Sequence, residues 1–128
     1  MNLLSIDYGT KIFGLAYSIN GIIFTLPSIK NDDQTIENLK LLIKQYSIDK
    51  IYIGVSEGKV ADLTLDFVNK LRPVVNLTVE TVEEAASTIE ATAIYKNNKS
   101  KKKDYKKMVD SVAAAVILNR VISSNNSF

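Results

Sequence analysis

The sequence predicts an α/β domain: a five-stranded mixed sheet, three antiparallel strands followed by parallel β-α units, with helices on both faces. Three observations carry this expectation. The first 26 residues hold three short apolar runs separated by turn residues. From Asp33 onward the apolar period becomes helical. Helical segments then alternate with short apolar runs, the order that builds parallel β-α units.

Asn2–Tyr8 reads as the first strand, because Leu4 and Ile6 alternate with Ser5 and Asp7. Gly9-Thr10-Lys11 is a turn, and Ile12–Ser18 a second strand. Asn20-Gly21 lies between two apolar runs, and this pair suits the positive φ angles of a two-residue hairpin. Ile22–Leu26 is the third strand, with Pro27 expected to stop it. Asp33 is the predicted N-cap of a helix with Ile36, Leu39, Leu42, Ile43 and Tyr46 on one face. Lys50–Val55 reads as a short buried strand. Val60, Leu63, Phe67, Val68 and Leu71 mark a second amphipathic helix, which Pro73 is expected to end. Val74–Val79 is the predicted fifth strand. Thr81 is placed as the cap of a third helix carrying Val82, Ala85, Ala86, Ile89 and Ala93. A last helix is expected over 104–123, and 124–128 as a frayed polar tail. The 128 residues suit one domain, 1–123, rather than two cores.

Composition removes whole classes of chemistry. The chain contains no cysteine and no histidine. Disulfides, thiolate zinc sites, a catalytic thiol, Ser-His triads and imidazole ligands are therefore excluded. Carboxylates, hydroxyls, lysines, backbone groups and an ion held by oxygen remain. The N-terminus lacks the pattern of an export signal, and no run approaches the roughly 18 apolar residues of a membrane span. A soluble, cytoplasmic protein is expected.

The net charge of +2 conceals an asymmetry. Residues 96–107 hold seven lysines (Lys96, Lys99, Lys101, Lys102, Lys103, Lys106 and Lys107) and one acid, Asp104, a local charge of +6. The remainder carries −4. Such a block is either a solvated surface segment or a contact for nucleic-acid phosphates.

Three acids stand in unusual surroundings. Asp7 closes the first strand, where an ionised carboxylate needs a partner, a cation or the hydrogen bonds of the following turn. Asp110 opens Asp110-Ser111-Val112-Ala113-Ala114-Ala115-Val116-Ile117-Leu118, a segment apolar nearly all round and so expected to be buried. It lies past the first turn of its helix, where capping is a poor explanation and an ion ligand a better one. Glu80 is placed at the end of the fifth strand, where open α/β sheets hold ligands, or else is an ordinary acid at a helix start. Glu57, after the fourth strand, carries the same argument with less force. If Asp7, Glu80 and Asp110 converge, their oxygen donors suit Mg²⁺ or Mn²⁺ and phosphodiester cleavage. The lysines would then hold the polyanion, with Lys11 near the scissile phosphate or simply solvated.

Ile6-Asp7-Tyr8-Gly9-Thr10-Lys11, with Gly14-Leu15-Ala16 and Ser18, resembles the opening signature of the YqgF/RuvX family. Ile51–Gly54 resembles its central strand. Lys106-Lys107-Met108-Val109-Asp110-Ser111-Val112-Ala113-Ala114 resembles its closing helix. The resemblance covers almost the whole chain and implies a ribonuclease H-like fold and a metal-dependent nuclease. Members are described as Holliday junction resolvases or as nucleases maturing the 5′ end of precursor 16S ribosomal RNA. Site acids carry over to Asp7 and Asp110. The family's Asp-Glu-Arg, followed by small hydroxyl residues, finds its nearest match here in Val79-Glu80-Thr81. Ile12 stands where a basic residue is common.

Three functions follow in order. The first is a nuclease acting on structured RNA or branched DNA, with Lys11, Lys101, Lys102, Lys103, Lys106 and Lys107 as nucleic-acid contacts. Precursor ribosomal RNA is the preferred substrate and a DNA junction the alternative. A resolvase normally needs a two-fold dimer. No dimer seam is evident in the sequence, so a monomer or weak homodimer is expected. The second function is a catalytically weakened nucleic-acid-binding module. The third is ATP binding, since Asp-x-Gly-Thr also resembles the phosphate loop of the actin and sugar-kinase superfamily, but 128 residues supply only one of the two domains required.

Overall fold

Eight elements follow one another in the computed structural model, which describes residues 1–83 and 102–125, the last helix with side chains from Ser111 to Ser124. They are β1 (Leu3–Asp7), β2 (Ile12–Ile19), β3 (Ile22–Lys30), α1 (Thr35–Gln45), β4 (Lys50–Val55), α2 (Lys59–Val75), β5 (Thr78–Glu83) and α3 (Lys102–Asn125). The sheet order is β3-β2-β1-β4-β5. β1 is central, antiparallel to β2 and parallel to β4, and β4 is parallel to β5. The expected mixed sheet is therefore observed.

Alternation along β1 divides the core. Leu4 and Ile6 face α1 and α2, where Phe13, Leu15, Leu39, Ile51, Ile53, Phe67 and Leu71 complete a buried cluster. Leu3 and Ser5 face α3, where Ala16, Tyr52, Ala114, Ile117 and Leu118 pack. The small residues Ala113 and Ala114 let α3 lie close to the sheet. The Ser5 hydroxyl donates to the Ala114 carbonyl at 2.6 Å, and the Ser111 hydroxyl donates to the Leu26 carbonyl at 2.5 Å. Both serines are buried, so these bonds satisfy hydroxyls that would otherwise destabilise the core. They also fix the helix on the sheet from two strands.

The Asn20-Gly21 hairpin forms as expected, with φ of 53° and 80°. Several boundaries differ from the sequence reading. Pro27 does not stop β3: Pro27 and Ser28 together oppose Gly14 in a bulge, and the edge strand continues to Lys30. An edge position and a bulge are the two places where a strand tolerates a residue without N–H. The N-cap position of α1 is Gln34, not Asp33. Pro73 does not end α2. It lies on the exposed side of the last turn, where its missing N–H leaves the carbonyl of exposed Asn69 to water, and the helix stops at left-handed Asn76. That delay shifts the fifth strand to Thr78–Glu83, so Thr81 is a strand residue and caps no helix.

The last helix begins at Lys102 and runs through Ser124 and Asn125, two residues expected in the tail. The third helix expected after Thr81 falls on 84–101, outside the described residues. Among the described residues no helix is long and apolar enough to cross a membrane.

Candidate functional site at the carboxyl end of β1

Asp7 is the last residue of β1 and lies two residues beyond Ser5, on the α3 face of the sheet. It is half-buried. Its neighbours across the ladder are Gly14 on β2 and Gly54 on β4, so no flanking side chain crowds it from either adjacent strand.

α3 runs antiparallel to β1. Ala114 meets Ser5, and further along the helix Ile117 and Leu118 pack with Leu3. Asp110 precedes Ala114 by one helical turn, about 6 Å along the axis. Asp7 lies past Ser5 by two strand residues, about 6.6 Å. The two acids thus occupy the same level, one on the strand and one on the helix crossing it. The Ser5–Ala114 bond sets the height of the helix and so the level of backbone position 110 against position 7.

Glu80 is placed elsewhere. It is the third residue of β5 and registers with Tyr52, which in turn registers with Ser5. Two strand spacings and two residues separate its Cα from that of Asp7, about 12 Å. Its carboxylate lies 3.0 Å from Lys50 Nζ, and Lys50 stands one step further from Asp7, level with Leu3 and Thr78. The Glu80 side chain is therefore drawn toward the opposite end of the sheet. Its carboxylate, and after it the Tyr52 side chain, raises the Lys50 pKa above the ordinary 10.5. The Lys50 ammonium also lies 5.0 Å from the centre of the Tyr52 ring. At the level of Asp7, β5 presents Val82. Among the described residues no three carboxylates gather. Glu57 lies on an exposed turn before α2.

Lys11 is exposed in the turn that follows Asp7. Lys102, Lys103, Lys106 and Lys107 fall within the first two turns of α3, whose leading end projects past the level of Asp7. Lys101 lies outside the described residues.

Two features of the Asp7 loop escape a reading of periodicity. Gly9 has no room for a side chain: an added Cβ would stand 2.1 Å from the Ile12 carbonyl oxygen. Asn31, just past β3, reaches across to the same loop. Its amide donates to the Gly9 carbonyl at 3.0 Å and to the Tyr8 hydroxyl at 3.3 Å, and its backbone N–H donates to the Lys11 carbonyl at 2.9 Å. The run Asn31-Asp32-Asp33 after a strand was a signal for side chain-to-backbone bonding, though not for its target.

A family model described as "RuvX: Holliday junction resolvase" matches residues 1–124. A protein of Dictyoglomus turgidum named "Putative pre-16S rRNA nuclease" is 31% identical, the match covering 97% of this chain and 95% of that protein. One of the same name from Clostridium acetobutylicum is 30% identical, over 97% and 99%. Among solved structures, T. thermophilus RuvC in complex with Holliday junction substrate superposes with a TM-score of 0.63 at 13% identity, over 99% and 97% of the two chains. The Fowlpox virus resolvase in complex with Holliday junction DNA gives 0.61 at 12% identity, over 99% and 100%. At these identities the structural likeness establishes the fold, which is ribonuclease H-like.

Proposed function

We propose that this chain, which belongs to the RuvX family, is a divalent-metal-dependent phosphodiester hydrolase that trims the 5′ end of precursor 16S ribosomal RNA. The observation that carries the reading is the shared level of positions 7 and 110 on the α3 face. The donors are carboxylates in a chain without histidine or cysteine, which fits Mg²⁺ or Mn²⁺. Asp7 and Asp110 would hold the ion, which supplies Lewis-acid polarisation of the phosphate and an activated water.

The register argues for a third acid beyond Val82 rather than at Glu80. Glu83 and Glu84 follow Val82 in the sequence, and Ser87 and Thr88 come shortly after. Two acids ahead of small hydroxyl residues fit the family's pattern better than Val79-Glu80-Thr81 does, and Glu84 is the acid we assign. Lys11 and the lysines around the start of α3 supply positive charge for the polyanion on either side of Asp7, the phosphate-contact role of such clusters.

The family description and the junction-bound neighbours favour a second substrate, a four-way DNA junction. A cleavage assay with purified protein and Mg²⁺ or Mn²⁺ separates the two. Labelled precursor RNA and a four-way junction are compared, with Asp7→Asn as control. Cutting of the RNA alone, lost in the control, is the expected result. Cutting of the junction alone selects the second substrate, and metal-independent cutting rejects the site.

A further inference from the structure

β1 ends at Asp7, and the ladder that fixes its backbone ends there too, with Gly14 and Gly54 as the last partners. Beyond that point the backbone that carries Asp7 is held by the next four residues. Tyr8 points to the opposite face, its ring packed 5.0 Å from Phe13 and 5.7 Å from Phe67, centre to centre. Gly9 is folded tightly against Ile12. Asn31 closes the arrangement with bonds to Tyr8, Gly9 and Lys11.

Asn31 is itself braced. The buried Thr35 hydroxyl donates to the Lys30 carbonyl at 2.8 Å and accepts from the Asp32 N–H at 2.8 Å, gripping the residues on both sides of Asn31. Asp32 Oδ1 then accepts the Gln34 N–H at 2.9 Å. Hydrogen bonds thus lead from Thr35 at the start of α1, by way of the residues flanking Asn31, to the loop behind Asp7.

We propose that Asn31 is a positioning residue for Asp7: its side-chain amide, donating to Gly9 and Tyr8, sets the orientation in which Asp7 receives a divalent ion. This inference rests on the metal-dependent reading given above. Loss of a group bonded directly to a ligand lowers affinity or activity about 10–100-fold; Asn31 acts through the Gly9 and Tyr8 loop, so the lower end of that range is expected.

The test compares Mn²⁺ binding by calorimetry with the kinetics of cleavage in Asn31→Ala, Asn31→Asp and Tyr8→Phe. Asn31→Ala retains the backbone bond to Lys11 and loses the amide. It is expected to weaken Mn²⁺ binding and lower kcat by about tenfold, with KM for nucleic acid within about twofold. Asn31→Asp keeps the shape but cannot donate, and should lose as much. Tyr8→Phe retains the Gly9 bond and should lose less than either, which keeps the test informative if an Asn31 variant folds poorly. Wild-type Mn²⁺ affinity and kcat in Asn31→Ala overturn the inference. So does full retention in Asn31→Asp, which would reduce the role to filling space. Weakened Mn²⁺ binding in a protein that cuts neither substrate upholds Asn31 and rejects the nuclease reading. Normal cutting by all three variants does the reverse.

Discussion

Asp7 and Glu80 share a sheet face, yet their surroundings differ in kind. Asp7 sits where its strand ends, between two glycines, under a helix locked in place by two serine hydroxyls. Glu80 sits inside its strand, half exposed and paired with a lysine that draws it away. One acid ends its strand with a second acid at its level on α3. The other lies two residues short of that level and pairs with Lys50. An acid near a strand end thus takes part in a sheet-end site only if the register carries it to the common level.

Substitutions can break this contrast, the largest effect first. Asp7→Asn should remove metal-dependent cleavage by more than the roughly 10–100-fold that loss of an outer partner brings. Gel assays with the labelled substrate check this, and calorimetry should show the fold retained. Gly9→Ala comes next, because its Cβ must displace the Ile12 carbonyl. It should destabilise the protein by about 1–3 kcal/mol, the usual range for overpacking, and slow cleavage in proportion to the distortion of the loop. Urea unfolding and initial rates measure the two parts.

Ser5→Ala tests the helix side. It leaves the Ala114 carbonyl without its hydroxyl donor and should destabilise by about 0.5–1.5 kcal/mol, the ordinary net worth of such a bond. Because that bond sets the height of α3, cleavage should fall more than the stability loss explains. Glu80→Gln should do least. The Lys50–Glu80 pair lies near the surface, where such pairs contribute about 0–1 kcal/mol. Cleavage should stay at the wild-type rate. The pH dependence has a definite sign. The Lys50 pKa is raised in the folded protein, so its contribution is present below the unfolded lysine value, about 10.4, and is lost as pH rises through the folded value. Glu80→Gln should therefore lower stability slightly at neutral pH, by no more than the pair contributes, and the difference from wild type should close on the alkaline limb.

Much of this architecture could be read from the residues because local patterns carried it. Asn20-Gly21 dictated its hairpin, and the α1 and α2 apolar faces followed the helical period. The prolines misled because their effect depends on exposure. Pro27 lies on an edge strand and Pro73 in a final exposed turn, and neither setting shows in the local sequence. The delay of α2 to Asn76 moved β5 along the chain, and with it the level of Glu80. Register is a property of strand pairing, so no inspection of Val79-Glu80-Thr81 alone would reveal it. Asn31 was hidden for a similar reason. Its bonds span 22 and 23 residues of sequence and exist only once β3 has paired with β2 as far as Lys30 and Ile12.

The most direct test of the account is the rate of Mn²⁺-dependent cleavage by Glu80→Gln and Glu84→Gln, measured side by side on the substrate that the wild-type protein cuts. Glu80→Gln is expected to cut at the wild-type rate and Glu84→Gln to be inactive. An inactive Glu80→Gln beside an active Glu84→Gln would contradict this, and would return the third acid of the site to the middle of β5.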